Sequence, residues 1–397
     1  MRVLYCTDTY PPQVNGVSTV THLSVVGLAE RGWHVGVVAP RYPAGPDVFG
    51  ADRSHLLLEL PSRAMPLYPE IRLAWPARAR VLAAARDFRP DLVHCATEFA
   101  AGWLGWQVAR TLGVPLVTSY HTDFSRYTRS WGVPFLEGVV QRGLTRFHRR
   151  AAATFTPSDA TRRELVARGL SRAVTWGCGV DAATFRPEAR TAEWRARLAP
   201  RGECVLLHVG RLAPEKNLVH LLTAFARCRR RLGDRVRLVI AGDGPSRTDL
   251  EARAGAGVAF LGFLDRAAEL PALYASADAF VFSSLTETLG LVVLEAMASG
   301  LPVAAIPAGG VADHLRDGVN GLAADPADPA DLGDRLVDLA ADPARRRTLA
   351  AGALATARAL GWDRELDRLD TLYRGILARG AAAEPTAPGT AQPVGSA

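Results

Sequence analysis

Short apolar runs alternate with helical patterns along most of the chain. Residues 2–7 (RVLYCT) precede a helical stretch at 18–30 (STVTHLSVVGLAE). Gly32 stands where a helix C-terminal cap belongs, and residues 34–40 (HVGVVAP) return to strand character. Further runs follow at 91–96 (DLVHCA), 115–121 (PLVTSYH) and 153–158 (ATFTPS). After residue 200 the rhythm restarts, at 205–211, 236–242, 258–263, 279–284 and 302–307. The runs are continuously apolar rather than alternating, as suits strands covered on both faces of a parallel sheet. This strand–helix alternation predicts an α/β protein with doubly wound domains.

The restart predicts two similar domains. Residues 179–204 are polar and Pro-marked, with no strand pattern, and are the expected linker. The expected division is 1–186 for a first domain, 187–357 for a second, 358–379 for a C-terminal helix and 380–397 for a disordered tail. The last part of the helical stretch 342–378 puts Leu366, Leu369, Leu372, Tyr373 and Ile376 on one face.

Composition supports this reading and narrows it. A length of 397 residues fits two domains of ordinary size. Hydrophobic residues make up 48% and charged residues 22%, which excludes disorder for most of the chain. No apolar run reaches 18 residues, so no membrane-spanning helix is expected. The N-terminus lacks the apolar stretch of a secretory leader. Five cysteines, odd in number and without a Cys-x-x-Cys pair, argue against a disulfide framework or zinc site and predict a cytoplasmic setting.

Charge is unevenly placed. The formal net charge is +7, and residues 1–186 carry 22 Arg against 14 Asp and Glu, a local balance of +8. An anionic membrane surface or nucleic acid would suit that excess. A GC-rich coding sequence would also raise the Arg content. Lys216 is the single lysine of the chain.

Four segments carry candidate chemistry. The first is the turn 10–18 (YPPQVNGVS), where Gly16 opens a helix N-terminus and would let a phosphate approach the backbone. A plain strand-to-helix turn is the alternative. It is not the G-x-G-x-x-G dinucleotide pattern. The second is 210–217 (GRLAPEKN), at the carboxyl end of a predicted strand, where doubly wound folds place ligands. Arg211 could grip a diphosphate in two-pronged fashion, and Lys216 adds a point charge.

The third segment is 287–300 (ETLGLVVLEAMASG). Ser284 or Thr286 could cap a helix whose first N–H groups lie near Thr288, Leu289 and Gly290, with Glu287 at its mouth and Glu295 about two turns in. Two such carboxylates can accept hydrogen bonds from the hydroxyls of a sugar and a ribose. Glu295 lies among apolar residues and needs a partner if buried; an exposed helical Glu is the alternative. The fourth is 119–124 (SYHTDF), where His121 is a candidate for acid–base or electrostatic work. His94 and Glu98 end another strand in a pattern too generic to assign.

Together these segments resemble the family 4 retaining glycosyltransferases of the GT-B architecture, over about residues 1–375. The strongest parts are GRLAPEKN, AGDGP (241–245) and ETLGLVVLEAMASGLPVAA, with seven residues between the two members of its Glu pair. SYHTDF, PPQVNGVS and WGCGVD (176–181) resemble the branch of GDP-mannose-dependent lipid mannosyltransferases and sulfoquinovosyl-type transferases. The resemblance implies two Rossmann-like domains facing across a cleft, the first for the acceptor and the second for the nucleotide-sugar donor. The C-terminal helix would cross back to the first domain.

By matching positions, Arg211, Lys216 and the Gly16 backbone would neutralise the donor diphosphate. Glu295 would bind the ribose and Glu287 the transferred sugar. The backbone of Thr288, Leu289 and Gly290 would face sugar and phosphates, His121 the reacting centre, and Gly262 and Phe263 the base. The implied transfer proceeds on the same face, and the leaving phosphate accepts the acceptor's proton. No cofactor or metal is implied, and no Asp-x-Asp motif is present. Asp313 and Leu289 stand where the family more often has Glu and Phe. The first matters little for the reaction class, and the second could alter the sugar pocket.

Residues 135–150 (FLEGVVQRGLTRFHRR) could form an amphipathic helix with Phe135, Leu136, Val139, Val140, Leu144 and Phe147 apolar. Arg142, Arg146, Arg149 and Arg150 would let it lie on an anionic membrane. An ordinary core-facing helix is the alternative. The leading function is transfer of a hexose, foremost mannose from GDP-mannose, to a lipid or glycolipid hydroxyl. A UDP-sugar and a soluble acceptor form the competing enzyme reading, and a pyridoxal phosphorylase or a nucleotide-sugar epimerase fits less well. The chain has no recognised nucleic-acid-binding motif and its basic residues are dispersed, so nucleic acid is not an expected partner.

Overall fold

The structure is a computed structural model. It describes residues 1–382 apart from 14, 44–51, 66–67, 76, 122–133, 178, 286 and 288. Thr286, Thr288 and the tail beyond Ala382 therefore lie outside the described residues.

The first half builds a seven-stranded sheet from β1 (Arg2–Cys6), β2 (His34–Pro40), β3 (Leu56–Leu60), β6 (Leu92–Cys95), β7 (Leu116–Ser119), β8 (Ala153–Thr156) and β9 (Ala173–Thr175). The order is β3-β2-β1-β6-β7-β8-β9, and every pairing is parallel. Between β3 and β6, β4 (Ser62–Met65) and β5 (Tyr68–Ala74) form a separate antiparallel pair. The second half builds a six-stranded parallel sheet from β10 (Cys204–Val209), β11 (Val236–Ala241), β12 (Val258–Gly262), β13 (Ala279–Phe282), β14 (Val303–Ala305) and β15 (Gly321–Ala323). Its order is β12-β11-β10-β13-β14-β15. Both are doubly wound Rossmann-like sheets, as the apolar runs require. Val3 to Cys6 and Val205 to Leu207 are fully buried, with helices covering both faces. In each sheet the order reverses beside the first strand of its domain, which opens a crevice at the strand carboxyl ends.

The chain passes between the domains twice, and the two crossings pair with each other. Val180 N donates to Leu360 O at 2.9 Å, and Trp362 N donates to Val180 O at 3.1 Å. A Cβ on Gly179 would stand 2.0 Å from the Trp362 ring, so only glycine lets the crossings touch. The helix Trp362–Ala382 then lies along the first domain. Its face of Leu366, Leu369, Tyr373 and Ile376 is buried in the first-domain core, with Leu372 half-buried. Polar bonds fix the docking: Trp33 Nε1 donates to Asp370 at 2.6 Å, and Tyr373 Oη meets Tyr5 Oη at 2.8 Å.

Candidate active site

The carboxyl ends of β1, β6 and β7 face those of β10, β11 and β13 across a cleft of about 550 Å³. On the second-domain side, the loop after β10 is seated on the loop after β11. Leu212 N donates to Asp243 O at 2.9 Å, and Ser246 N to Leu212 O at 2.9 Å. A Cβ on Gly242 would lie 1.9 Å from Gly210 O, and φ there is +132°, so glycine is required for this approach. The glycines of AGDGP thus hold GRLAPEKN in place. The loop presents Arg211, whose NH1 lies 3.3 Å from Glu215 Oε1, and Lys216 at the end of a single turn, Pro214–Lys216. Ser283 Oγ ties the turn to the end of β13 by donating to Lys216 O at 3.0 Å.

Lys216 Nζ meets Glu287 Oε2 at 2.6 Å. The Glu287 backbone is held from behind, because Gly310 N donates to Glu287 O at 2.9 Å. The helix that follows runs Leu291–Ala298 and begins after Gly290, which is left-handed with φ +73°. Its cap position is Gly290, with no side-chain cap; Ser284 lies six residues earlier and donates its hydroxyl to Glu215 O at 3.3 Å, and Thr286 lies outside the described residues. The helix also starts later than expected, so Glu295 stands one turn in rather than two.

Glu295 is 2% exposed, which settles against an exposed helical carboxylate. Its partners are Arg266, whose Nε and NH2 reach Oε1 at 3.0 and 2.7 Å, and Tyr274, whose hydroxyl donates to Oε2 at 3.3 Å. Arg266 in turn lies 4.9 Å over the Phe185 ring. A buried carboxylate with a charged partner and spare lone pairs is an acceptor for vicinal hydroxyls.

The first-domain wall starts at the helix Gly16–Glu30. The Asn15 side chain caps it by accepting from Ser18 N at 2.9 Å, so the earlier N–H groups have no helical partner. A Cβ on Gly16 would meet nothing within 4 Å, so its backbone faces open cleft. Asp8 follows β1 and ties two loops together. It accepts from Thr97 Oγ1 at 2.6 Å and from Ala101 N at 2.8 Å. Burial pushes its carboxyl up to about 6. His121 lines the cleft, and burial lowers its pKa to about 4, so the imidazole is neutral near pH 7. Glu98 also lines the cleft and lies 3.3 Å from His148 Nε2.

Gly16, His121, Arg211, Lys216, Phe263, Glu287, Leu289 and Glu295 are thus brought to one cleft. Gly262 and Gly290 are not on its wall; they turn the chain beside it with φ +76° and +73°. His94 is taken elsewhere: its Nε2 lies 2.7 Å from Ser119 Oγ, and its Nδ1 bonds Tyr373 Oη of the docked helix. No local pattern marks Asp8 and Arg266 in the sequence, because their partners, Thr97 and Glu295, are 89 and 29 residues away.

Two sheets facing across a cleft with paired cations and carboxylates define a glycosyltransferase of the GT-B architecture. Residues 14–184 match the model of Glycosyltransferase Family 4, and residues 190–355 that of Glycosyl transferases group 1. A GDP-mannose-dependent alpha-mannosyltransferase of Mycobacterium tuberculosis is 39% identical over 81% of this chain and 83% of its own. The sulfoquinovosyl transferase SQD2 of Arabidopsis thaliana is 35% identical over 75% and 59%. An alpha-monoglucosyldiacylglycerol synthase of Streptococcus pneumoniae is 31% identical over 77% and 71%. Among solved structures, sucrose-phosphate synthase of Thermosynechococcus elongatus superposes with a TM-score of 0.77 at 24% identity, over 95% of this chain and 99% of that one. The chain belongs to glycosyltransferase family 4 and is a glycosyltransferase.

Proposed function

We propose that the chain moves mannose from GDP-mannose to a hydroxyl of a lipid or glycolipid acceptor, with retention at the anomeric carbon. The observation that carries the transfer reading is the cluster of Arg211, Lys216 and Glu287 facing the Gly16 helix N-terminus across one cleft. The similarity to a GDP-mannose-dependent enzyme favours that donor.

The donor diphosphate lies between the two walls. Arg211, Lys216 and the free N–H groups at Gly16 meet its charge, which grows as the bond to the sugar breaks. These groups do the work of a cation, so the reaction needs no resident metal. Glu295 accepts from the ribose hydroxyls, and Glu287 from the transferred sugar. Phe263, half-exposed at the rim, faces the base. The acceptor hydroxyl enters from the first-domain side near His121. Its proton passes to the departing phosphate, the sugar–phosphate bond breaks, and the new glycosidic bond forms on the same face.

A lipid acceptor agrees with the helix Glu137–His148 and the turn Pro134–Leu136 before it. Phe135 is 77% and Val139 56% exposed, and Arg142, Arg146, Arg149 and Arg150 are exposed beside them. Phe147, by contrast, is buried in the core. Apolar side chains flanked by arginines suit a peripheral contact with an anionic bilayer. No helix among the described residues is long and apolar enough to cross a membrane.

Incubation of the purified chain with labelled GDP-mannose and lipid vesicles tests the reading. Label should enter the lipid fraction, and the product should be the α-anomer. A β-linked product would overturn the retaining mechanism. Label confined to water-soluble products would overturn the lipid acceptor. Failure to co-sediment with anionic vesicles at low salt would contradict the membrane contact.

A further inference from the structure

Asp313 does not line the cleft. It lines a second cavity, of about 600 Å³, between the two domains. Its Oδ2 accepts from Asp159 N of the first domain at 2.5 Å. Asp159 is the first residue of the helix Asp159–Ala167, so this N–H is one that no helical carbonyl can satisfy. A carboxylate there also meets the positive end of the helix. Asp159's own carboxylate is turned away, to Arg162 at 2.6 Å and Arg163 at 2.7 Å.

The other end of the same short element touches the sugar-side loop. Asp313 belongs to the four-residue helix Val311–His314, which directly follows Gly309 and Gly310. Gly310 N holds Glu287 O, and a Cβ on Gly309 would lie 1.7 Å from that oxygen. Val311 Cγ2 packs on Gly290, 3.3 Å from where a Cβ would stand. The His314 ring bonds the Leu289 backbone. One rigid turn therefore contacts Glu287, Leu289 and Gly290 on one side and the first domain on the other.

We propose that Asp313 is a positioning residue: its bond to the Asp159 amide latches the first domain onto the turn that holds the Glu287–Gly290 loop. The latch sets where the sugar-side loop stands relative to the acceptor wall. This rests on the reading of Glu287 as facing the transferred sugar. The diphosphate grip of Arg211 comes from a different loop, so the latch acts more on turnover than on nucleotide affinity.

The test compares the wild type with Asp313→Ala, Asp313→Asn and Asp159→Pro. Asn keeps an acceptor oxygen at the same reach. Proline removes the amide donor from the first domain and is tolerated at a first helical position. Each is assayed with whichever of GDP-mannose and UDP-glucose the wild type turns over, so a wrong donor shows in the wild type and the latch shows in the ratio. Asp313→Ala and Asp159→Pro should each lower kcat about ten-fold, with GDP or UDP affinity within about two-fold of wild type. Asp313→Asn should recover most of the rate, and the Ala/Pro double variant should add no further loss. Wild-type kcat in Asp159→Pro, or parallel loss of kcat and nucleotide affinity in both single variants, would overturn the proposal.

Discussion

Lys216 Nζ and Glu287 Oε2 stand 2.6 Å apart, joining two loops of the second domain that are 71 residues apart in the chain. Both side chains are largely shielded at the cleft wall, so each orients the other. The pair puts a cation where phosphate charge grows beside a carboxylate where sugar hydroxyls bind. Lys216→Ala should lower transfer by about 10² to 10³ while leaving the fold intact. Turnover measured against the thermal midpoint checks this, and near-wild-type turnover would remove Lys216 from the reaction.

Glu295 and Arg266 should separate under mutation. Glu295→Gln keeps hydrogen-bonding capacity at the buried position but lowers the attraction for Arg266. It should weaken nucleotide binding about ten-fold or more with modest loss of stability. Glu295→Ala leaves Arg266 unpaired and should cost about 1–3 kcal/mol as well. Calorimetric titration and denaturant unfolding on the two variants read the terms independently.

Gly16 offers a test without a folding penalty. An added methyl has free space and falls in a helix, so Gly16→Ala should hold or raise stability by about 0.5 kcal/mol. The same methyl stands where the diphosphate approaches, so donor affinity should fall. A variant with unchanged donor affinity would place the diphosphate elsewhere.

Asp8 and His121 pull stability in opposite directions with pH. Asp8 has its pKa raised to about 6, so the folded state holds its proton more tightly than the unfolded chain. Its contribution is present below about pH 4 and is lost as pH rises to about 6, up to about 3 kcal/mol. His121, lowered to about 4, loses stability as pH falls through the same window. Relative to wild type, Asp8→Asn should therefore gain stability between pH 4 and pH 6. Unfolding in denaturant at several pH values checks the slope, which does not depend on the constant cost of the swap. His121→Ala should lower transfer more than donor binding, since a neutral imidazole gives little to a diphosphate.

The sequence carries those features that are local. The strands written as continuous apolar runs stand where they were expected, within a residue or two at each end. β9, β14 and β15 show the limit: each has three residues, too few to carry a pattern, and only β14 lay within a recognised run. GRLAPEKN and the Glu pair are legible because each lies within one short continuous segment of the chain, 210–217 and 287–295. The cap of the helix Leu291–Ala298 is not legible because the left-handed Gly290 delays the helix start, which leaves Ser284 six residues before the cap position. Arg266, Asp8 and Asp313 act through partners from other elements, and nothing in their neighbours along the chain marks them. Asp313 is the clearest case, since its partner amide is 154 residues away.

The most direct test of the donor site is calorimetric titration of the purified chain with GDP and with UDP. GDP should bind at least about ten-fold more tightly, and Lys216→Ala should weaken it. Selective binding of UDP would contradict the mannosyl donor while leaving the transferase, and binding of neither would contradict the assignment of the cleft.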